Sequence, residues 1–168
     1  MGDNSGLDVD VASLLVEGHG AVQVESGEDA NPPFVFLAGP IRFWWAEGQW
    51  GSELHQRYTK WRDDVRIALV RAGCLVYSPH RAWQGRWNER AQEVNDAAIR
   101  ACTVVLDLRI PGVPADGTLQ EVETAVQAGV PVVPLALGDT DHLGRIIVSL
   151  PGTLLSPGDG GQQDQKTV

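Results

Sequence analysis

The chain lacks most of the features that assign a sequence to a class at sight. Two cysteines and four histidines in 168 residues make no disulfide scaffold, and no His/Cys spacing suited to a metal ion is present. Cys74 and Cys102 fall in apolar surroundings that read as a strand and a helix end. That setting fits buried thiols in a reducing compartment, with a disulfide between them as the alternative the sequence leaves open. No apolar run approaches the roughly 20 residues needed to cross a membrane. The amino terminus MGDNSGLDVD is acidic where a secretory signal would be basic, so the expectation is a cytoplasmic protein. A concentrated basic face is missing as well. The formal net charge is -9, but Asp3, Asp8, Asp10, Glu17, Glu25, Glu28 and Asp29 supply -7 of it, and the stretch from 156 onward supplies -1. The segment between is therefore nearly neutral, with scattered Arg and Lys, which argues against polymeric nucleic acid and permits a small anionic ligand.

What is present is an alternation. Residues 1–31 are rich in Gly, Asp and Glu and close on Asn31-Pro32-Pro33, so they read as a disordered acidic arm; 156–168 read as a disordered tail. Between them, 32–155 form one α/β domain. Phe34 to Ala38 is a short apolar run that ends on Gly39-Pro40, as a buried parallel strand does. Helical spacing runs from Glu53 to Ala72 and stops at Gly73. Strands are expected at Cys74–Ser78, Thr103–Leu108 and Val130–Leu137, with a short fifth at Thr153–Leu155. Helices are expected at Glu93–Ala101, Thr118–Ala128 and Asp141–Leu150. Strands separated by helices of these lengths imply a three-layer domain: a four- to five-stranded parallel sheet with helices on both faces. Ligands of such sheets sit beyond the carboxyl ends of the strands, so the chemistry should lie just after strands one, two and three.

After strand one come Gly39, Pro40, Ile41, Arg42, Phe43, Trp44 and Trp45. Glycine lets a ligand approach the backbone, Arg42 presents a fork suited to phosphate, and the tryptophans stack on a base, pack beneath the loop or meet a neighbouring subunit. After strand two, His80 and Arg81 precede Trp83 and Trp87; His80 serves proton transfer or is a satisfied structural imidazole. After strand three, Asp116, Gly117 and Thr118 open a helix whose free amides form an anion site, and Glu121 follows one turn in. Helix-start compensation of the dipole is the plain alternative for Glu121, and helix-start chemistry equally explains Asn95-Asp96.

In this order the strings FLAGPIR (Phe36 to Arg42), YSPHRAWQG (Tyr77 to Gly85), VND (Val94 to Asp96) and DGTLQEVETAVQAGVPVV (Asp116 to Val133) resemble the nucleoside 2-deoxyribosyltransferase superfamily, and most closely its nucleoside 5′-monophosphate N-glycosidase branch of cytidylate-hydrolase type. The resemblance spans roughly residues 34 to 150. It implies a Rossmann-like domain, Glu121 as the nucleophile with Asp96 as its acidic helper, and a 5′-phosphate held by Gly39, Ile41, Arg42 and Gly117. Phe36, Pro40, Trp44, His80, Arg81, Asp116 and Thr118 complete the expected substrate contacts. It implies no cofactor and no metal, and a homodimer or larger homo-oligomer, for which Trp50, Trp61 and Gly144-Arg145 are candidate contacts. The chain departs from the family in two places: many members have Tyr at the position of Phe36, whose ring has no hydroxyl to orient Glu121, and Ala115 replaces the Ser or Asp that separates phosphate users from transferases.

The activity so implied is hydrolysis of an N-glycosidic bond through an oxocarbenium-like transition state. Two alternatives remain open from the sequence: base exchange on unphosphorylated deoxynucleosides, and a nucleotide-binding module without turnover.

Overall fold

Side chains alternate across a strand, and in the first strand both sets are covered. Val35 and Leu37 are buried with one group of residues, Phe36 and Ala38 with another, so the strand must carry helices on each face. The computed structural model describes residues 31–83 and 89–153. Its elements are β1 (Phe34–Ala38), α1 (Arg42–Ala46), α2 (Glu53–Arg71), β2 (Leu75–Tyr77), α3 (Pro79–Trp83), α4 (Glu89–Ala101), β3 (Val104–Asp107), α5 (Asp116–Gln127), β4 (Val132–Pro134) and α6 (Thr140–Ser149). The four strands are all parallel, in the order β2-β1-β3-β4.

One face of the sheet is covered by α2 and α6. Tyr58, Trp61, Val65 and Leu69 recur at helical spacing along α2 and meet Val35, Leu37 and Leu106, while α6 adds Leu143, Ile146 and Ile147. The other face is covered by α4 and α5, where Val94, Ala98, Ile99 and Ala125 pack on Phe36, Ala38 and Val105. This is the expected α/β arrangement of a parallel sheet between two helical layers. Trp61, expected as a subunit contact, is a core residue at 8% exposure. The two thiols are free and buried on opposite sides of the sheet, Cys74 with the α2 side and Cys102 with the α4 side. A disulfide between them would have to pass through the sheet, so that alternative is removed.

Local chemistry explains the boundaries. The Ser52 hydroxyl accepts from the His55 amide at 3.2 Å and starts α2. Gly73 follows the helix end at φ 86°, a left-handed conformation that a side chain resists. Two short helices, α1 and α3, occupy segments expected to be loops. Helix α4 begins at Glu89 rather than Glu93, and α5 at Asp116 rather than Thr118. Strand β4 spans three residues, shorter than the expected Val130–Leu137. Of the expected fifth strand, Thr153 is not in a strand, and Leu154 and Leu155 lie outside the described residues. Residues 1–30 of the acidic arm, the tail, and residues 84–88 lie outside them too. Among the described residues no helix is long and apolar enough to cross a membrane.

Candidate active site

The crossover from β1 goes to β2 on one side, and β3 then lies on the other, so the strand order reverses between β1 and β3. Loops leaving such neighbouring strands diverge and leave a crevice at their carboxyl ends. A cavity of about 170 Å³ lies there. One wall is the segment after β1, with Gly39, Pro40, Ile41 and Arg42; the other is the start of α5, with Ala115, Asp116, Gly117, Thr118 and Glu121. Residues expected to bind substrate after strands one and three thus meet around one opening.

Three features make the α5 wall receptive to an anion. The helix runs twelve residues, so its amides sum to a real positive end. Its N-cap is Ala115, which has no side chain to hydrogen-bond those amides. Thr118 is 2% exposed and its Oγ1 has no hydrogen-bond partner among the described residues, an arrangement costly to bury unless something later bonds it. Asp116 sits in the first turn, exposed, and offsets part of the helix dipole. Opposite, the exposed Arg42 opens α1.

Glu121 is the sixth residue of α5, in its second turn, and forms the floor of the cavity at 4% exposure. Its Oε1 accepts a hydrogen bond from Asn95 Nδ2 at 3.1 Å, and its Oε2 has no partner among the described residues. Burial raises its pKa to about 8; the Asn95 bond opposes that rise, the negative charge of Asp96 adds to it, and Arg42 opposes it. A strongly displaced carboxyl in a cleft is a candidate for acid–base or nucleophilic work.

Behind Glu121 stands a chain of polar groups in an apolar layer. Asn95 is fully buried, and its Oδ1 accepts from the Tyr77 hydroxyl at 2.9 Å. Phe36 and Tyr77 are register partners on adjacent strands, with ring centroids 5.5 Å apart. The Tyr77 hydroxyl is thus linked to Glu121 through Asn95. Asp96 is half-buried, its Oδ1 accepts from Gln92 Nε2 at 2.8 Å, and it does not line the cavity. The neighbour touching Glu121 is thus Asn95, and Asp96 acts on it through charge.

The remaining expected contacts sit elsewhere. Trp44 is fully buried against Phe43, His55 and Tyr58, with ring centroids 5.0 to 5.4 Å away, and cannot cover a ligand. Phe43, not Trp44, borders the cavity. The side chain of Trp45 lies outside the described part. His80 is half-buried in α3, parallel to Trp50 at 5.8 Å, and does not line the cavity. Burial, reinforced by Arg62, lowers its pKa to about 4, so it is neutral at physiological pH. Arg81 is exposed and also away from the cavity. Gly39 owes its place to a contact: a Cβ there would collide with the Tyr58 hydroxyl, which packs beneath the loop.

Asn95 and Tyr77 were not anticipated as site residues. The available signal was Asn95's position between Ala91 and Ala98, the polar member of a stripe whose neighbours are all buried. Among the described residues no three His, Cys, Asp or Glu side chains cluster as a metal site would require. Comparison with protein-family models and with curated proteins gives no match for this chain.

Proposed function

We propose that this protein hydrolyses the N-glycosidic bond of a nucleoside 5′-monophosphate, releasing free base and sugar phosphate. The observation that carries the reading is Glu121: a carboxyl with an unpartnered Oε2 at the floor of a cavity whose rim is a helix start without a side-chain cap. The phosphate sits on the amides of Gly117 and Thr118 and the Thr118 hydroxyl, with Arg42 supplying charge. The pentose then lies above Glu121. The cavity is smaller than the roughly 300 Å³ at which small-molecule sites begin, so it suits the sugar phosphate, and the base extends outside it.

In the reaction Glu121 Oε2 approaches C1′ as the bond to the base nitrogen breaks. The bonding pair leaves with the base, which takes up a proton, and the carboxylate stabilises or captures the cationic sugar. Water attacks C1′ in the second step, losing its proton as Glu121 is released. Only ionised Glu121 can do this, and a carboxyl with a midpoint near 8 is about nine-tenths protonated at pH 7.

A panel of ribo- and deoxyribonucleoside monophosphates assayed for free base tests the proposal, with and without a second base. Base release by the wild-type chain, lost at least about a thousandfold in Glu121→Gln, is expected. Ordinary turnover by the variant, or none by either protein, refutes it. Appearance of an exchanged nucleoside on adding the second base would assign a transferase instead. We further propose a homo-oligomer in the cytoplasm, with exposed Trp50 and Gly144-Arg145 as contacts; sedimentation as a monomer would remove the oligomer.

A further inference from the structure

A buried asparagine in the middle of a helix has to be explained, because its amide is costly to leave unpaired and gives nothing to an apolar layer. Asn95 is the seventh residue of α4, fully buried beside Val94 and Ala98. Its two ends meet different things. The oxygen accepts from the Tyr77 hydroxyl, and the nitrogen donates to Glu121 Oε1. The carboxylate can only accept, so as long as it is ionised the amide nitrogen must be the end that faces it. Tyr77, donating to the other end, holds the amide in that orientation.

We infer that Asn95, anchored by Tyr77, is the positioning residue of the site: it grips Oε1 of Glu121 and so reserves Oε2 for the cavity. This rests on the reading of Glu121 as the reacting carboxylate. A carboxyl reaching from the second turn of a helix has several rotamers. Fixing one oxygen from behind leaves the other the free lone pairs that an attack on the anomeric carbon requires. The same bond favours the ionised form against burial. Other groups act on Glu121 from the elements around it: Asp96 from α4 opposes ionisation, Arg42 from α1 favours it, and Tyr58 from α2 is itself held neutral by burial. On its own helix, Thr118 and Asp116 lie toward the rim. None of these charges replaces the amide, which is in direct contact.

The test reads Glu121 itself. Protein labelled with ¹³C at glutamate carboxyls is titrated by infrared difference spectroscopy without substrate, and the Glu121 band is assigned by its loss in Glu121→Gln. In Asn95→Leu the midpoint should rise by about one pH unit or more, the worth of a hydrogen bond to a charged group. Tyr77→Phe should move it the same way by less, and it serves where Asn95→Leu fails to fold. If the proposed reaction holds, the ascending limb of kcat/KM moves up with the midpoint. Activity at pH 7 then falls about tenfold while KM stays within about twofold. A cooperatively folded Asn95→Leu or Tyr77→Phe with an unmoved midpoint overturns the inference. The titration needs no turnover, so a protein that releases no base removes the proposed reaction without deciding this one.

Discussion

At the scale of single residues, the site is governed by what burial does to one carboxyl. Glu121 is nearly as buried as the core, yet it borders a cavity, and its midpoint is raised to about 8 chiefly for that reason. A group that must be ionised to act, and whose midpoint lies above neutrality, makes the rate rise with pH. For the wild-type chain kcat/KM for a nucleoside monophosphate should therefore climb close to tenfold per unit below about pH 8 and level above it. The profile is measured as initial rates of base release; a rate flat between pH 6 and 8 would show that Glu121 is ionised throughout. Glu121 was legible in the sequence because its distance from Gly117 and Thr118 is local and a helix fixes where it points. Asn95 was not. Read as a residue near the start of a helix, it needs no further reason; with the helix beginning at Glu89 it lies mid-helix and faces the interior. Trp44 misled for the opposite reason, since a tryptophan beside a glycine looks like a ligand platform until α1 turns it inward onto Tyr58.

At the scale of elements, the start of α5 holds a conflict between stability and use. Its N-cap is an alanine, and Thr118 buries a hydroxyl with no partner. For folding alone, valine would serve better at 118, because it has the same shape and no polar atom to orphan. Thr118→Val should consequently melt at the same temperature as wild type or higher, by up to about 1–3 kcal/mol in stability. If the hydroxyl is kept for phosphate, the same variant should raise KM for the monophosphate about tenfold and leave KM for the parent nucleoside unchanged. Thermal denaturation and paired kinetics measure both, and a destabilised variant with unchanged kinetics would make Thr118 a structural residue. The alanine also explains why the helix start was misplaced by two residues: without a capping side chain there is no local signal before Asp116. Helices α1 and α3 escaped notice because five residues cannot display a 3.6-residue period, and neighbouring packing rather than propensity sustains them.

For the whole molecule, alternating strands and helices made the parallel sheet and its two helical layers legible, since burial on both faces forces continuous apolar runs that composition reveals. Strand order carries no such local mark; it follows from long-range pairing of β1 with both β2 and β3, and it is this order that opens the crevice. Holding the crevice open has a consequence for stability. A carboxyl whose midpoint rises on folding keeps in the folded chain a proton that the unfolded chain releases. Its contribution to stability is therefore complete below its ordinary value of 4.5 and disappears as pH climbs through about 8. His80 works in the other direction. Its midpoint falls to about 4, so its contribution is present above its ordinary 6.5 and is lost on acidification; His55, also lowered, behaves alike. The buried thiols, raised to about 11, contribute below their ordinary 9 and enter only above it. Between pH 6.5 and 8.5 the Glu121 contribution is thus the largest to change, falling by about 2 kcal/mol. Wild-type Tm should fall by several degrees over that interval. In Glu121→Gln the fall should vanish, and the variant should be the more stable protein at pH 8.5 because no charge is forced into the interior. Calorimetry at pH 6.5 and 8.5 on both proteins decides the matter: parallel declines would mean that Glu121 ionises as freely in the folded chain as in water, and that the cavity floor is wetter than its geometry implies.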